Sequence, residues 1–134
     1  MLKIAVCDDS PMFLEKAVDL IKMWSKERNT PIELHTFSNG DELLKANSAS
    51  HLDIVFLDII MPLLNGMETA RELRQNDKVI RIIFLTSSPE FALDSYNVKA
   101  QGYLLKPVSY EKIRDSLNDC AQFFVKEPEN MVLK

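Results

Sequence analysis

Val55-Phe56-Leu57-Asp58-Ile59-Ile60-Met61-Pro62-Leu63-Leu64-Asn65-Gly66 decides how the rest of the chain is read. Together with Ile54, its first residues make a short apolar run that ends in an acid. Such a run reads as a buried parallel strand, apolar on both faces. Asp58 then stands at or just past the carboxyl end, the edge of an open α/β sheet where ligands bind. Pro62 stops the strand, and Gly66 is expected to give the turn backbone freedom before a helix starting near Met67. A carboxylate at the mouth of a buried strand needs a cation partner or a chemical role. Taken alone, the stretch fits a helix cap or a salt-bridged surface acid equally well.

Outward from this strand the same unit repeats. Leu2 to Cys7 reads as a first strand ending in Asp8-Asp9, and Ser10-Pro11 as the cap and first position of a helix. Phe13, Ala17, Leu20, Ile21 and Trp24 mark that helix's apolar stripe, and Asn29-Thr30-Pro31 ends it. Ile32 to Phe37 alternates as an edge strand with one wet side. Asp41 to Ala46 predicts a short helix with Leu43 and Leu44, followed by a polar loop over 47–51. After the central strand comes a helix over 66–75 with Met67, Ala70 and Leu73 inward. Ile80 to Leu85 is a strand ending in Thr86-Ser87-Ser88, and Ser88-Pro89 predicts another helix start, with the helix over 91–97. Gly102 to Leu105 is a fifth strand ending in Lys106-Pro107. Ser109 caps a last helix whose stripe is Ile113, Leu117, Cys120, Ala121 and Phe124, with Pro128 ending it. This alternation implies right-handed crossovers and a doubly wound, five-stranded parallel sheet with helices on both faces.

The chain's 134 residues fit one domain, and 46% hydrophobic content supplies a sizeable core. A net charge of −4 argues against a polyanion-binding surface. Cys7 and Cys120 belong to no metal-ligand or CxxC pattern and read as buried reduced thiols. His35 and His51 read as solvated or locally satisfied. No signal peptide and no bilayer-length apolar run occur, so the expectation is a cytoplasmic protein without a membrane partner.

The parallel topology places Asp8-Asp9, Asp58, Thr86 to Ser88 and Lys106 at strand ends on one side of the sheet. Each has a plainer use: the acids and Thr86 as helix caps, Lys106 as a surface lysine. Their joint placement has a chemical one. Clustered carboxylates repel, a divalent cation relieves that, and an all-oxygen set without His or Cys selects magnesium. A carboxylate beside a bound cation can attack phosphorus, while the metal and an ammonium neutralise the transferring group. The Thr86 hydroxyl can hydrogen-bond a phosphoryl oxygen. The set reads as phosphorylation of an aspartate, with Asp58, alone at a central strand, as the acceptor and the paired Asp8 and Asp9 suited to the metal. A phosphatase with an aspartyl nucleophile would usually carry a second acid two residues on, where this chain has Ile60. A flavin domain of this topology would need a phosphate loop where Asp8-Asp9 would repel the phosphate.

Asp8-Asp9, Asp58 followed by Met61-Pro62 and Gly66, Thr86-Ser87, and Lys106-Pro107 together resemble the receiver domain of bacterial response regulators. The resemblance covers about residues 2–126 and implies a flavodoxin-like sheet of order 2-1-3-4-5. It implies that Asp58 accepts phosphate from a sensor histidine kinase, and that the chain is a regulatory phosphoacceptor rather than an enzyme. Asp9 and Asp58 would bind magnesium directly with the backbone carbonyl of Ile60, and Asp8 mainly through water. Lys106 would pair with the phosphoryl group, Thr86 and Tyr103 would form the switch, and Lys106-Pro107 would be cis. Ser88 to Tyr96, Val98-Lys99-Ala100 and Gly102 to Val108 look, more narrowly, like receivers attached to LytTR-type DNA-binding domains, which are transcription regulators. On that reading 1–126 is the receiver and 127–134 a linker or truncated start of an output domain. DNA would be reached only through that output domain. The face of the fourth helix, fifth strand and fifth helix would switch on phosphorylation, dimerising or docking a partner.

Overall fold

The computed structural model describes residues 1–62 and 65–122. Phe124, Pro128 and the expected linker over 127–134 lie outside them. The element order is β1 (Leu2–Cys7), α1 (Pro11–Arg28), β2 (Ile32–Phe37), α2 (Gly40–Ala49), β3 (Ile54–Leu57), α3 (Gly66–Asn76), β4 (Arg81–Thr86), the 3-10 helix η1 (Asp94–Val98), β5 (Gly102–Leu105) and α4 (Tyr110–Ala121). All strand pairs are parallel, in the order β2-β1-β3-β4-β5.

The central strands are apolar on both faces because each face packs against helices. Ala5, Cys7, Val55, Leu57, Ile82 and Phe84 point to the core beneath α2 and α3, with Leu43, Met67, Ala70 and Leu73. Their sequence neighbours Ile4, Val6, Ile54, Phe56, Ile83 and Leu85 point to the core under α1 and α4, with Ile21, Trp24, Ile113, Leu117 and Cys120. This period-2 division of one apolar run between two cores is what a doubly wound sheet requires. Strand β2 sits at the edge, as its alternation predicts.

Several local expectations change. The helix expected over 91–97 is a turn followed by η1. There the amides of Tyr96 and Lys99 donate to the carbonyls three residues back. The Ser95 hydroxyl takes the Ala92 carbonyl at 2.6 Å, so a side chain competes for the backbone acceptors an α-helix would use. Lys99 closes the segment at φ 53°. Helix α2 extends through 47–49, into the expected polar loop, and Asn47 then accepts from Leu52 N and donates to Asp77. Ser10 occupies the N-cap of α1 without a side-chain bond. Its amide instead donates to Asp8 Oδ1 at 2.9 Å.

Gly66 does not serve as a flexible turn residue. It is the first residue of α3 and has no positive φ; Asn65 and Glu68 form a capping box around it. A Cβ on Gly66 would lie 1.9 Å from the carbonyl oxygen of Asp58. Glycine is required there by close backbone approach, and its amide bonds the Ile59 carbonyl at 2.8 Å.

The Lys106–Pro107 peptide is cis, as the resemblance implied. Both cysteines are free and buried. His35 meets Glu33 at 2.7 Å and His51 meets Asp77 at 2.8 Å, so both histidines are satisfied locally. Among the described residues no helix is long and apolar enough to cross a membrane.

Candidate functional site

The sheet hydrogen-bond ladder runs one step past three strand ends and so fixes the backbone at the site. Asp8 N donates to Phe37 O, Asp58 N to Cys7 O, and Lys106 N to Thr86 O, all at 2.9–3.0 Å. The residues following β1, β3 and β5 are thereby held as firmly as strand residues. Thr86 is the last residue of β4 and fully buried.

On this platform the acids converge. One carboxylate oxygen from each of Asp8, Asp9 and Asp58 lies within 4.8 Å of the others. Asp8 and Asp58 are buried, with relative exposures of 3% and 5%, whereas Asp9 is open to solvent. The Lys106 ammonium enters from the fifth strand end, 2.8 Å from Asp8 Oδ2 and 3.3 Å from Asp58 Oδ2. Three carboxylates against one ammonium leave the site anionic. Burial pushes the Asp58 carboxyl above its ordinary range; Lys106 opposes the rise, Asp8 adds to it, and the Thr86 hydroxyl works with Lys106.

The donor set is all oxygen, crowded and anionic, which fits a hard divalent cation such as magnesium. One oxygen source is solvent-facing through Asp9, so a bound ion could keep waters. Cys7 lies beneath the site, but burial and the acids push its thiol up to about 12, which keeps it protonated.

Tyr103, the expected switch residue, is half-buried on β5. Its ring lies 5.9 Å from that of Phe84, and its hydroxyl donates to the carbonyl of Ser88, two residues past Thr86. The loop following Thr86 and the aromatic ring are thus joined directly. Ile60 is 53% exposed beside the acids, with its amide 3.4 Å from Asp58 Oδ1.

All the residues singled out from the sequence therefore meet at or beside one sheet edge. Phe13 was missed as a neighbour of the site. Its helical spacing placed it in the α1 core stripe, yet its ring centroid lies 4.1 Å from Lys106 Nζ. The only signal available was its place in the first turn after Asp8-Asp9, which is shared by Met12 and Leu14.

The sequence profile of the response regulator receiver domain matches residues 4–118. The chain is 33% identical over 121 residues to the positive alginate biosynthesis regulatory protein of Pseudomonas aeruginosa, covering 90% of this chain and 48% of that protein. It is 32% identical over 119 residues to the sensory transduction protein LytT of Oceanobacillus iheyensis, covering 87% and 47%. The LytT match agrees with the resemblance to receivers of LytTR-type regulators. The chain spans about half the length of these curated relatives. Among solved structures, the response regulatory domain of protein mrkE from Klebsiella pneumoniae superposes with a TM-score of 0.81 at 25% identity, covering 91% of this chain and 97% of that one.

Proposed function

This chain belongs to the response regulator receiver domain family, and on that premise we propose that it is a cytoplasmic protein whose Asp58 is the phosphoacceptor for a sensor histidine kinase. The observation that carries the reading is the convergence of Asp8, Asp9, Asp58 and Lys106 at one sheet edge. Asp58 attacks phosphorus with a carboxylate oxygen, and the bond to the donor's imidazole nitrogen breaks. Lys106 and the Thr86 hydroxyl take the phosphoryl oxygens. Asp9, Asp58 and the Ile60 carbonyl would hold magnesium, with Asp8 beside them, and the ion would supply charge neutralisation at the transferring group. The chain acts as a regulatory phosphoacceptor.

Output follows from the Thr86 to Tyr103 connection. Thr86 drawn toward a phosphoryl group moves the loop whose Ser88 carbonyl holds Tyr103. That repacks η1 against β5 and alters the η1–β5–α4 face, where Leu93, Tyr96 and Leu105 are exposed. Residues 1–126 are the receiver, and 127–134 lead toward an output domain of LytTR type that contacts DNA. Phosphorylation drives dimerisation or partner docking through the altered face.

The decisive experiment supplies magnesium with acetyl phosphate and follows intact mass. Wild type is expected to gain one phosphoryl group, and Asp58→Asn none. An unmodified wild type, or equal labelling of Asp58→Asn, would rule the reading out.

Magnesium is expected to raise stability by roughly 1 to 3 kcal/mol at concentrations well above Kd, because it binds only the native state. Asp9→Asn should abolish most of that gain in urea titrations with and without the ion. A midpoint indifferent to millimolar magnesium in wild type counts against the metal site.

Ile60 is apolar and can neither orient nor activate a water. Ile60→Asn or Ile60→Glu is therefore expected to change the decay of phosphorylated protein by roughly severalfold while phosphorylation still occurs. Unchanged decay in both variants places Ile60 away from the hydrolytic path.

A further inference from the structure

Lys106 has a third neighbour that is not an acid. Its ammonium lies 4.1 Å from the centroid of the Phe13 ring, while its side chain is only 7% exposed. Phe13 comes from the first turn of α1 and Lys106 from the end of β5, so the contact spans the sheet edge. We propose that Phe13 is a positioning residue for phosphoryl transfer, its ring face holding the Lys106 ammonium over the acids. The role rests on the reading of Asp58 as phosphoacceptor.

The geometry gives the ring a task the carboxylates cannot perform. In the structure the shorter ion pair of Lys106 is with Asp8 at 2.8 Å, and the contact to Asp58 is 3.3 Å. To neutralise a phosphoryl group on Asp58, the ammonium must shift its hydrogen bonds away from Asp8. A ring face attracts a cation without offering a lone pair that fixes its direction. Phe13 can therefore hold Lys106 through that exchange of acceptors. It also shields one side of the ammonium from water, which strengthens the attraction felt by a developing phosphoryl charge. Leucine in the same place would fill space without attracting the cation.

The test compares wild type, Phe13→Leu and Phe13→Tyr with magnesium over a range of acetyl phosphate concentrations. In Phe13→Leu the saturating phosphorylation rate is expected to fall about three- to tenfold, the scale of one cation–π contact. The half-saturating concentration should change little, since Lys106 acts on the transferring group. Phe13→Tyr, which retains a ring face, should restore the rate. In lysine-detected NMR the ring-current shift of the Lys106 side chain should persist in Phe13→Tyr and vanish in Phe13→Leu. Equal saturating rates in all three proteins would overturn the role of Phe13 while leaving Asp58 as acceptor. So would a loss in both variants that tracks their melting temperatures. A wild-type protein that is not phosphorylated at all would overturn the reading of Asp58, and this role with it.

Discussion

Lys106→Met is expected to cost the metal-free protein about 3 to 5 kcal/mol at neutral pH, the scale of a buried ion pair that loses one partner. Asp8 and Asp58 would remain buried without the ammonium that now lies against both. Against a total stability of roughly 5 to 15 kcal/mol for a domain, such a loss leaves a marginal fold. The pH dependence follows from Asp58. Its folded pKa is raised by burial above the unfolded value, so the folded state prefers the protonated carboxyl. This penalty is absent below the unfolded pKa, grows as pH rises toward the folded pKa, and is complete above it. Removing Lys106 removes the main opposing influence, so the loss should be larger at neutral than at mildly acidic pH. Magnesium should restore part of it by supplying another positive charge. Urea titrations in chelator at two pH values, then in magnesium, measure all three effects. Wild-type midpoints for Lys106→Met throughout would show that the ion pairs contribute no net stability.

Trp24→Ala should destabilise by about 3 to 5 kcal/mol, the usual range for truncating a large buried aromatic. Trp24 is fully buried and joins α1 to α4. Its indole N–H donates to Asn118 Oδ1 at 2.9 Å, an acceptor it shares with Arg28 at 2.7 Å. Arg28 also stands over the indole, 5.5 Å from its centroid. Trp24→Phe keeps most of the packing, and Arg28 still satisfies Asn118, so its cost should be only about 1 to 2 kcal/mol. The residue lies thirteen positions beyond Pro11, roughly 20 Å along the helix axis. The folded fraction of either variant should therefore accept phosphate at the wild-type rate. Equal losses in Phe and Ala variants would show that the hydrogen bond, rather than packing, dominates.

Much of this protein was legible before folding. The apolar runs and their spacing specify strands and helices because periodicity is a property of near neighbours along the chain. Parallel alternation then places every strand's carboxyl end on one side, which brings Asp8, Asp58, Thr86 and Lys106 together without any knowledge of their contacts. Other features depended on contacts across long separations. Asp8 and Asp9 are adjacent and chemically identical, yet only Asp8 is buried. Lys106 reaches both Asp8 and Asp58, and the fold puts its ammonium nearer Asp8, at 2.8 Å against 3.3 Å. Gly66 reads from the sequence as a source of backbone freedom in the turn, but the close approach of the Asp58 carbonyl is what excludes a side chain. Phe13 shares its helical spacing with core residues, and only the position of Lys106 turns it toward the site. Between Pro89 and Lys99, helix-like punctuation yielded to a hydroxyl competing for carbonyls. Local pattern sets which elements form and which ends they share; the distances and partners at those ends are set by packing between residues far apart in the chain.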